Sequence, residues 1–166
     1  MRYLTLIRHA KSSWDDPNLE DFERPLNARG RRDAPAMATR AALLAGRPDA
    51  WLSSPARRAI QTARSFADTL GVASEQIELR PSLYHASLDQ LRACIQQWPA
   101  DWQQVWLFGH NPGLSDLARW LCDEAPAELP TCAVAQLALP PDPWSRLAPG
   151  SASLRCYLYP KQARVG

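Results

Sequence analysis

Lysine is nearly absent from this chain. Of its 19 basic residues only Lys11 and Lys161 are lysines, and the other 17 are arginines. Histidine is limited to His9, His85 and His110, and there are only 2 methionines and 7 glycines. The four cysteines, Cys94, Cys122, Cys132 and Cys156, show no CxxC or paired spacing, so no zinc or redox motif is suggested and they read as small core residues in a reducing, cytoplasmic setting. No stretch approaches the roughly 18 apolar residues of a membrane span. The short apolar run Met1–Ile7 is broken by Arg8 and His9, and it lacks the longer apolar region and cleavage site of a signal peptide. Charge of one sign is also missing: 19 basic and 17 acidic residues leave +2. Without a basic excess or stripe, a nucleic-acid partner is not expected, and neither is a membrane.

What is present is an ordinary globular composition, 46% hydrophobic and 22% charged over 166 residues. That length fits one domain, read here as 1–160 with a short tail at 161–166. Tyr3–Ile7, Ala50–Ser53, Ile77–Leu79 and Val105–Phe108 read as strands, the first and last apolar on both faces as in a buried parallel sheet. Helices alternate with them. Asn27 is a good N-cap for one that ends before Gly46, with Pro35 expected to kink it or delay its start. Ala59, Ala63, Phe66 and Leu70 form the stripe of a second, closed by Gly71. Ser87 and Gln90 make a capping-box pattern for a third, and Leu114, Leu117 and Leu121 mark a fourth. Val134–Leu139 and Leu154–Tyr159, joined by the Pro-rich loop 140–150, read as a last strand pair on one sheet edge. The alternation predicts a single three-layer α/β/α domain, a mainly parallel sheet with helices on both faces.

In such a sheet ligands bind beyond the carboxyl ends of the strands. Three strands end in polar residues: Ile7-Arg8-His9, Ser53-Ser54-Pro55-Ala56-Arg57-Arg58 and Phe108-Gly109-His110-Asn111. No glycine-rich phosphate loop, dinucleotide fingerprint, nucleophile elbow or cysteine-phosphatase loop is present. A hydrolytic metal site would want more clustered carboxylates and histidines, so neither metal nor cofactor is expected. Histidine with arginine remains, a combination suited to a phosphoryl group: arginine forks neutralise its oxygens and a neutral imidazole can attack phosphorus.

Leu6-Ile7-Arg8-His9-Ala10 resembles the RHG signature of the histidine phosphatase superfamily, with alanine where glycine is usual. Arg58-Ala59-Ile60-Gln61-Thr62 resembles its second-arginine motif and Gly109-His110-Asn111-Pro112 its second-histidine motif, all in family order. The short length and Arg24-Pro25-Leu26-Asn27-Ala28-Arg29-Gly30 are similar to the small SixA-like phosphohistidine phosphatases. The resemblance implies a phosphoglycerate mutase-like fold and a metal-independent phosphatase. It makes His9 the nucleophile that is transiently phosphorylated, Arg8 and Arg58 the phosphate clamp, His110 a donor to a phosphoryl oxygen and Arg24 a further phosphate ligand. Of the adjacent pair Arg57 and Arg58, the motif register selects Arg58 for the pocket.

Larger members of that superfamily supply a carboxylate after the third strand as acid for an alkoxide leaving group. Here the region reads Leu83-Tyr84-His85-Ala86-Ser87. The gap favours a substrate whose leaving group is an imidazole, or an acid drawn from Asp15, Asp16 or Asp21; His85 reads more simply as an exposed loop residue. Lys11, Ser12 and Trp14 are open between touching substrate and shaping the loop. The expected substrate is a phosphohistidine on a signalling phosphotransfer protein. The alternatives are a small phosphoester such as a sugar phosphate or nucleotide, or a phosphate-binding module without catalysis.

Overall fold

The computed structural model describes residues 1–162; of the expected tail, 163–166 lie outside the described residues. Six strands and four helices follow the expected alternation: β1 (Arg2–Arg8), α1 (Ala28–Ala45), β2 (Ala50–Ser53), α2 (Arg57–Leu70), β3 (Ile77–Leu79), α3 (Leu88–Gln96), β4 (Gln104–Gly109), α4 (Gly113–Leu121), β5 (Val134–Leu139) and β6 (Ser153–Leu158). The sheet order is β3-β2-β4-β1-β5-β6. The first four of these are parallel, and β5 and β6 add the edge as an antiparallel pair.

Alternation along each strand splits the core into two layers. Leu4, Leu6, Leu52, Val105, Leu107, Ala135 and Leu137 point to the α3/α4 side, where they meet Leu91, Ile95, Leu114, Leu117 and Leu121. Ile7, Trp51, Trp106, Phe108 and Val134 point to the α1/α2 side, against Met37, Ala38, Ala41, Ala63 and Phe66. This division explains why β1 and β4 read as continuous apolar runs: as central strands they are covered on both faces. Trp51, Trp98 and Trp106 are buried, and Trp120 is half-buried beneath the Arg92 guanidinium. Trp144, in the Pro-rich loop, is buried too, and its Nε1 donates to the Trp102 carbonyl at 2.8 Å.

The caps agree with the sequence. Asn27 Oδ1 accepts from Gly30 N at 2.8 Å, the Ser87–Gln90 capping box is complete, and Gly71 closes α2 at φ 70°. Pro35 is the exception. α1 starts at Ala28 and runs on to Ala45 with Pro35 inside it, so its start is not delayed. Pro35 and Arg31 are both exposed, which leaves the Arg31 carbonyl, deprived of its donor by the proline, on the water side of the helix. No helix among the described residues is long and apolar enough to cross a membrane.

One close approach ties α1 to the end of β1. The Lys11 carbonyl accepts from Asn27 N at 3.0 Å and lies so near Gly30 that a Cβ there would collide with it. Backbone against backbone cannot give way as a side chain would, so Gly30→Ala should destabilise the fold by about 1–3 kcal/mol, the usual range for overpacking. Urea unfolding of the variant measures this, and a change within ±0.3 kcal/mol, roughly the resolution of such a comparison, would contradict the packing argument.

Candidate active site

Because β2, β4 and β1 are parallel neighbours, their carboxyl ends share one edge of the sheet, and the backbone pairing continues past it. His9 N donates to the Gly109 carbonyl at 3.1 Å and Ser54 N to the Phe108 carbonyl at 3.0 Å. This extension brings His9, Ser54 and His110 side by side. His9 Nδ1 lies 2.8 Å from the Ala10 carbonyl, so it must carry the ring proton and donate it, which leaves Nε2 with the lone pair. His110 Nε2 pairs with Ser54 Oγ at 2.7 Å. The two imidazole centroids are 5.2 Å apart.

Arg58 stands over both rings from the first turn of α2. Its Nε donates toward His9 Nε2 at 3.4 Å, and its NH2 group lies 3.4 Å from His110 Nδ1. It is 2% exposed, while its neighbour Arg57 is exposed, as the motif register implied. The rest of that motif fastens the loops around the site. Thr62 Oγ1 accepts from Ala10 N at 3.0 Å and donates to the Arg58 carbonyl at 2.8 Å, and Gln61 Oε1 accepts from Leu26 N at 2.8 Å. The glutamine and threonine therefore hold the peptide after His9 and the segment after Arg24 against α2.

Arg8 extends into the same cavity. One of its terminal nitrogens donates to the Leu129 carbonyl at 2.9 Å, but its Nε is buried without a partner. A buried donor left unpaired costs about 1–3 kcal/mol. Arg24 is also buried, with its donors shared among the Ser13 carbonyl, Ser12 Oγ and Asp21 Oδ1. It organises the loop as much as it faces the cavity. Ser12 is thereby tied into the loop, and Trp14, 73% exposed, lies over the Arg24 guanidinium at 3.1 Å. The cavity these groups line, with Lys11, Asp21, His85 and Asn111, measures about 340 Å³.

Sequence patterns gave little weight to two residues that the fold brings in. Asp21, in the β1–α1 loop, supplies the counter-charge of Arg58. Its Oδ2 accepts from Arg58 at 3.0 Å, from the Tyr84 hydroxyl at 2.6 Å and from His85 Nε2 at 2.8 Å, and its carbonyl accepts from Arg58 at 2.6 Å. His85, expected as an ordinary exposed loop residue, is half exposed but lines the cavity, with its ring centroid 4.9 Å from that of His110. Asp21 and His85 are 64 positions apart, and only the closure of the sheet makes them partners.

The electrostatics keep the two central imidazoles uncharged. Burial first, then the Arg58, Arg8 and Arg24 charges, lower His9 to about 3 against the opposing pull of the Ala10 carbonyl. Burial, then His9, Arg58 and His85, lower His110 to about 2. At Asp21 partial burial would raise the carboxyl, but the hydrogen bonds from Tyr84, His85 and Arg58 outweigh it and hold it well below the usual carboxylate range. The site thus sets a neutral imidazole nitrogen with a lone pair among fixed cationic donors, an arrangement suited to an oxyanion.

A family model for the histidine phosphatase superfamily (branch 1) matches residues 4–121. The chain belongs to that superfamily, and its fold is the phosphoglycerate mutase-like one; the protein is a phosphatase. Within the family it is similar over 96% of its length, and 98% of the other chain, to a crystal structure assigned to the phosphohistidine phosphatase SixA of Agrobacterium tumefaciens, with a TM-score of 0.81 at 29% identity. The mycobacterial glucosyl-3-phosphoglycerate phosphatase shares the fold alone, with a TM-score of 0.64 at 17% identity over 83% of this chain and 93% of its own. An uncharacterised chloroplastic protein of Arabidopsis thaliana is 35% identical over 144 residues, 82% of this chain; the match spans 66% of that protein's length.

The two depressed imidazoles have a consequence for stability. In the unfolded chain a histidine takes up a proton below about 6.5, whereas in the fold His9 and His110 stay neutral down to about 3 and about 2. The unfolded state therefore binds more protons as pH falls. Stability present above pH 6.5 is lost on acidification, by at most ~1.4 kcal/mol per pH unit for each histidine. His110→Asn removes one of the two, so its urea-unfolding stability should fall less steeply than wild type between pH 6.5 and 4.5. Parallel declines would show that His110 is not held neutral.

Proposed function

We propose that the protein removes phosphate from a phosphohistidine on a signalling phosphotransfer protein, through transient phosphorylation of His9. The observation that carries this reading is the cavity itself. A lone-pair nitrogen and the side chains of Arg8 and Arg58 line one cleft whose rim carries the largely exposed Trp14. A phosphohistidine presented on a protein surface can reach such a site and lay its ring beside Trp14. The likeness to an assigned SixA structure supports the same substrate class.

The geometry supports the following steps. His9 Nε2 attacks phosphorus while Nδ1 keeps its proton, donated to the Ala10 carbonyl. Arg8 and Arg58 meet the non-bridging oxygens with forked donors, which lysine could not reproduce. His110 pairs through Nε2 with Ser54 Oγ at 2.7 Å, and once a phosphoryl oxygen lies at Nδ1 in place of the donor-only Arg58 group, the tautomer protonated at Nδ1 donates a hydrogen bond to it. Water then takes the phosphoryl group from His9. No metal or cofactor enters this scheme.

Mixing the protein with a phosphohistidine-bearing phosphotransfer domain and with a panel of sugar phosphates and nucleotides, then quenching in alkali, should yield phosphate on His9 by mass spectrometry. The phosphoprotein should be turned over fastest. His9→Ala should lose at least about a thousandfold in turnover, and Arg58→Lys on the order of a hundredfold. Normal turnover by His9→Ala would overturn the mechanism, and preference for a small ester would overturn the substrate. Phosphate binding without any phosphoenzyme would mark a binding module instead.

A further inference from the structure

Every histidine in the chain lies in one row across the cleft: His9, then His110 at 5.2 Å between centroids, then His85 a further 4.9 Å on. The scheme above uses the first two and leaves the third idle. His85 is nevertheless built into place. Its Nε2 donates to Asp21 Oδ2 at 2.8 Å, its ring lies 4.3 Å from that of Tyr84, and its backbone sits at φ 49°. A left-handed backbone conformation at a residue other than glycine costs on the order of 1–3 kcal/mol and persists where the surroundings hold it. Among the described residues its Nδ1 has no protein partner, and the side chain lines the cavity.

We propose that His85, oriented by Asp21, gives a proton to the departing atom of the substrate and later takes one from the attacking water. The proposal rests on His9 being the nucleophile. Its alternatives within the site are excluded by their own contacts. Asp21 is held ionised by Arg58, Tyr84 and His85, so it has no proton to give. The Tyr84 hydroxyl is committed to Asp21 at 2.6 Å, and its pKa is raised by burial and by that carboxylate. His110 is engaged by Ser54 and faces Arg58. That leaves His85, an imidazole, the side chain suited to passing protons near neutrality. It stands in the loop after β3, where the sequence has no carboxylate.

The transfers balance. In the first step the bond from His9 Nε2 to phosphorus forms as the bond to the leaving atom breaks, the imidazole nitrogen of a phosphohistidine or the oxygen of an ester. The leaving atom keeps the electron pair and takes a proton from His85 Nδ1, departing as a neutral imidazole or an alcohol. In the second step water attacks phosphorus and surrenders a proton to His85 Nδ1, and the electron pair of the P–N bond returns to His9. Inorganic phosphate leaves and His85 is protonated again. Asp21 is a positioning residue: it holds the ring by Nε2 and offsets the imidazolium charge.

The test separates bond making from proton delivery. Phosphate esters of nitrophenol, phenol and an alkyl alcohol are compared in wild type, His85→Gln, His85→Ala and Asp21→Asn, with rapid mixing and detection of phosphate on His9. Nitrophenolate needs no proton to leave, so its release in His85→Gln should keep a burst within about threefold of wild type while phosphate accumulates on His9. The alkyl ester should slow by roughly 10²–10⁴, the range for a lost general acid. Added imidazole should restore part of the His85→Ala rate, and Asp21→Asn should show the same leaving-group pattern more weakly. Equal losses on all three esters, or none, would overturn the proposal and leave His85 a structural strut. Absence of phosphate on His9 in wild type would instead overturn the nucleophile it rests on.

Discussion

The site depends on burying one arginine between two uncharged imidazoles. A guanidinium as enclosed as that of Arg58 needs a partner, because an unpaired charge out of water costs several kcal/mol. Neither ring supplies one: both are held neutral, and each faces Arg58 only at 3.4 Å. The counter-charge comes from outside the strand ends, through Asp21 on the β1–α1 loop. That loop is fixed in turn by Arg24, Ser12 and the Leu26 amide on Gln61. The long segment between β1 and α1 is thus a folded part of the cradle, with the charge of Arg58 as the reason for its shape.

From this follows the division of labour along the sheet. The parallel ladder sets the backbone of His9, Ser54 and His110 without help from their side chains, and α2 brings Arg58 and Thr62 across the top. The aromatic packing of Trp51, Trp106, Phe66 and Phe108 beneath α2 keeps that helix seated, with the Trp51 and Phe108 rings stacked at 6.0 Å. Burial does the electrostatic work as well, since it is the largest cause of the depressed pKa of both central histidines.

Much of this was legible in the chain. Apolar runs such as Val105–Phe108 announce buried strands because both faces of a central strand are covered, and caps such as Asn27 and Ser87 announce helix starts because a side chain satisfies an orphan amide. Polar residues at strand ends led to His9, His110 and the pair Arg57 and Arg58, from which the register of the family motif selected Arg58. Asp21 and His85 were not legible in the same way. Neither follows a strand in a motif, and their partnership depends on loops from distant parts of the chain meeting across the cleft. Pro35 shows the limit of propensity: its missing amide hydrogen bond is tolerable on a solvated face, and the packing of Ala34, Met37 and Ala38 holds the helix together around it.

The gathering of Arg8, Arg24 and Arg58 around one cavity carries a further consequence. Fixed cationic donors cannot distinguish a phosphoryl group on a substrate from the free phosphate released at the end of each cycle. What strengthens capture also slows departure. Discrimination must then come from contacts to the leaving group, which a substrate has and the product lacks. A phosphate-rich solution would act as a brake on such a cleft, with the product occupying the place of the next substrate.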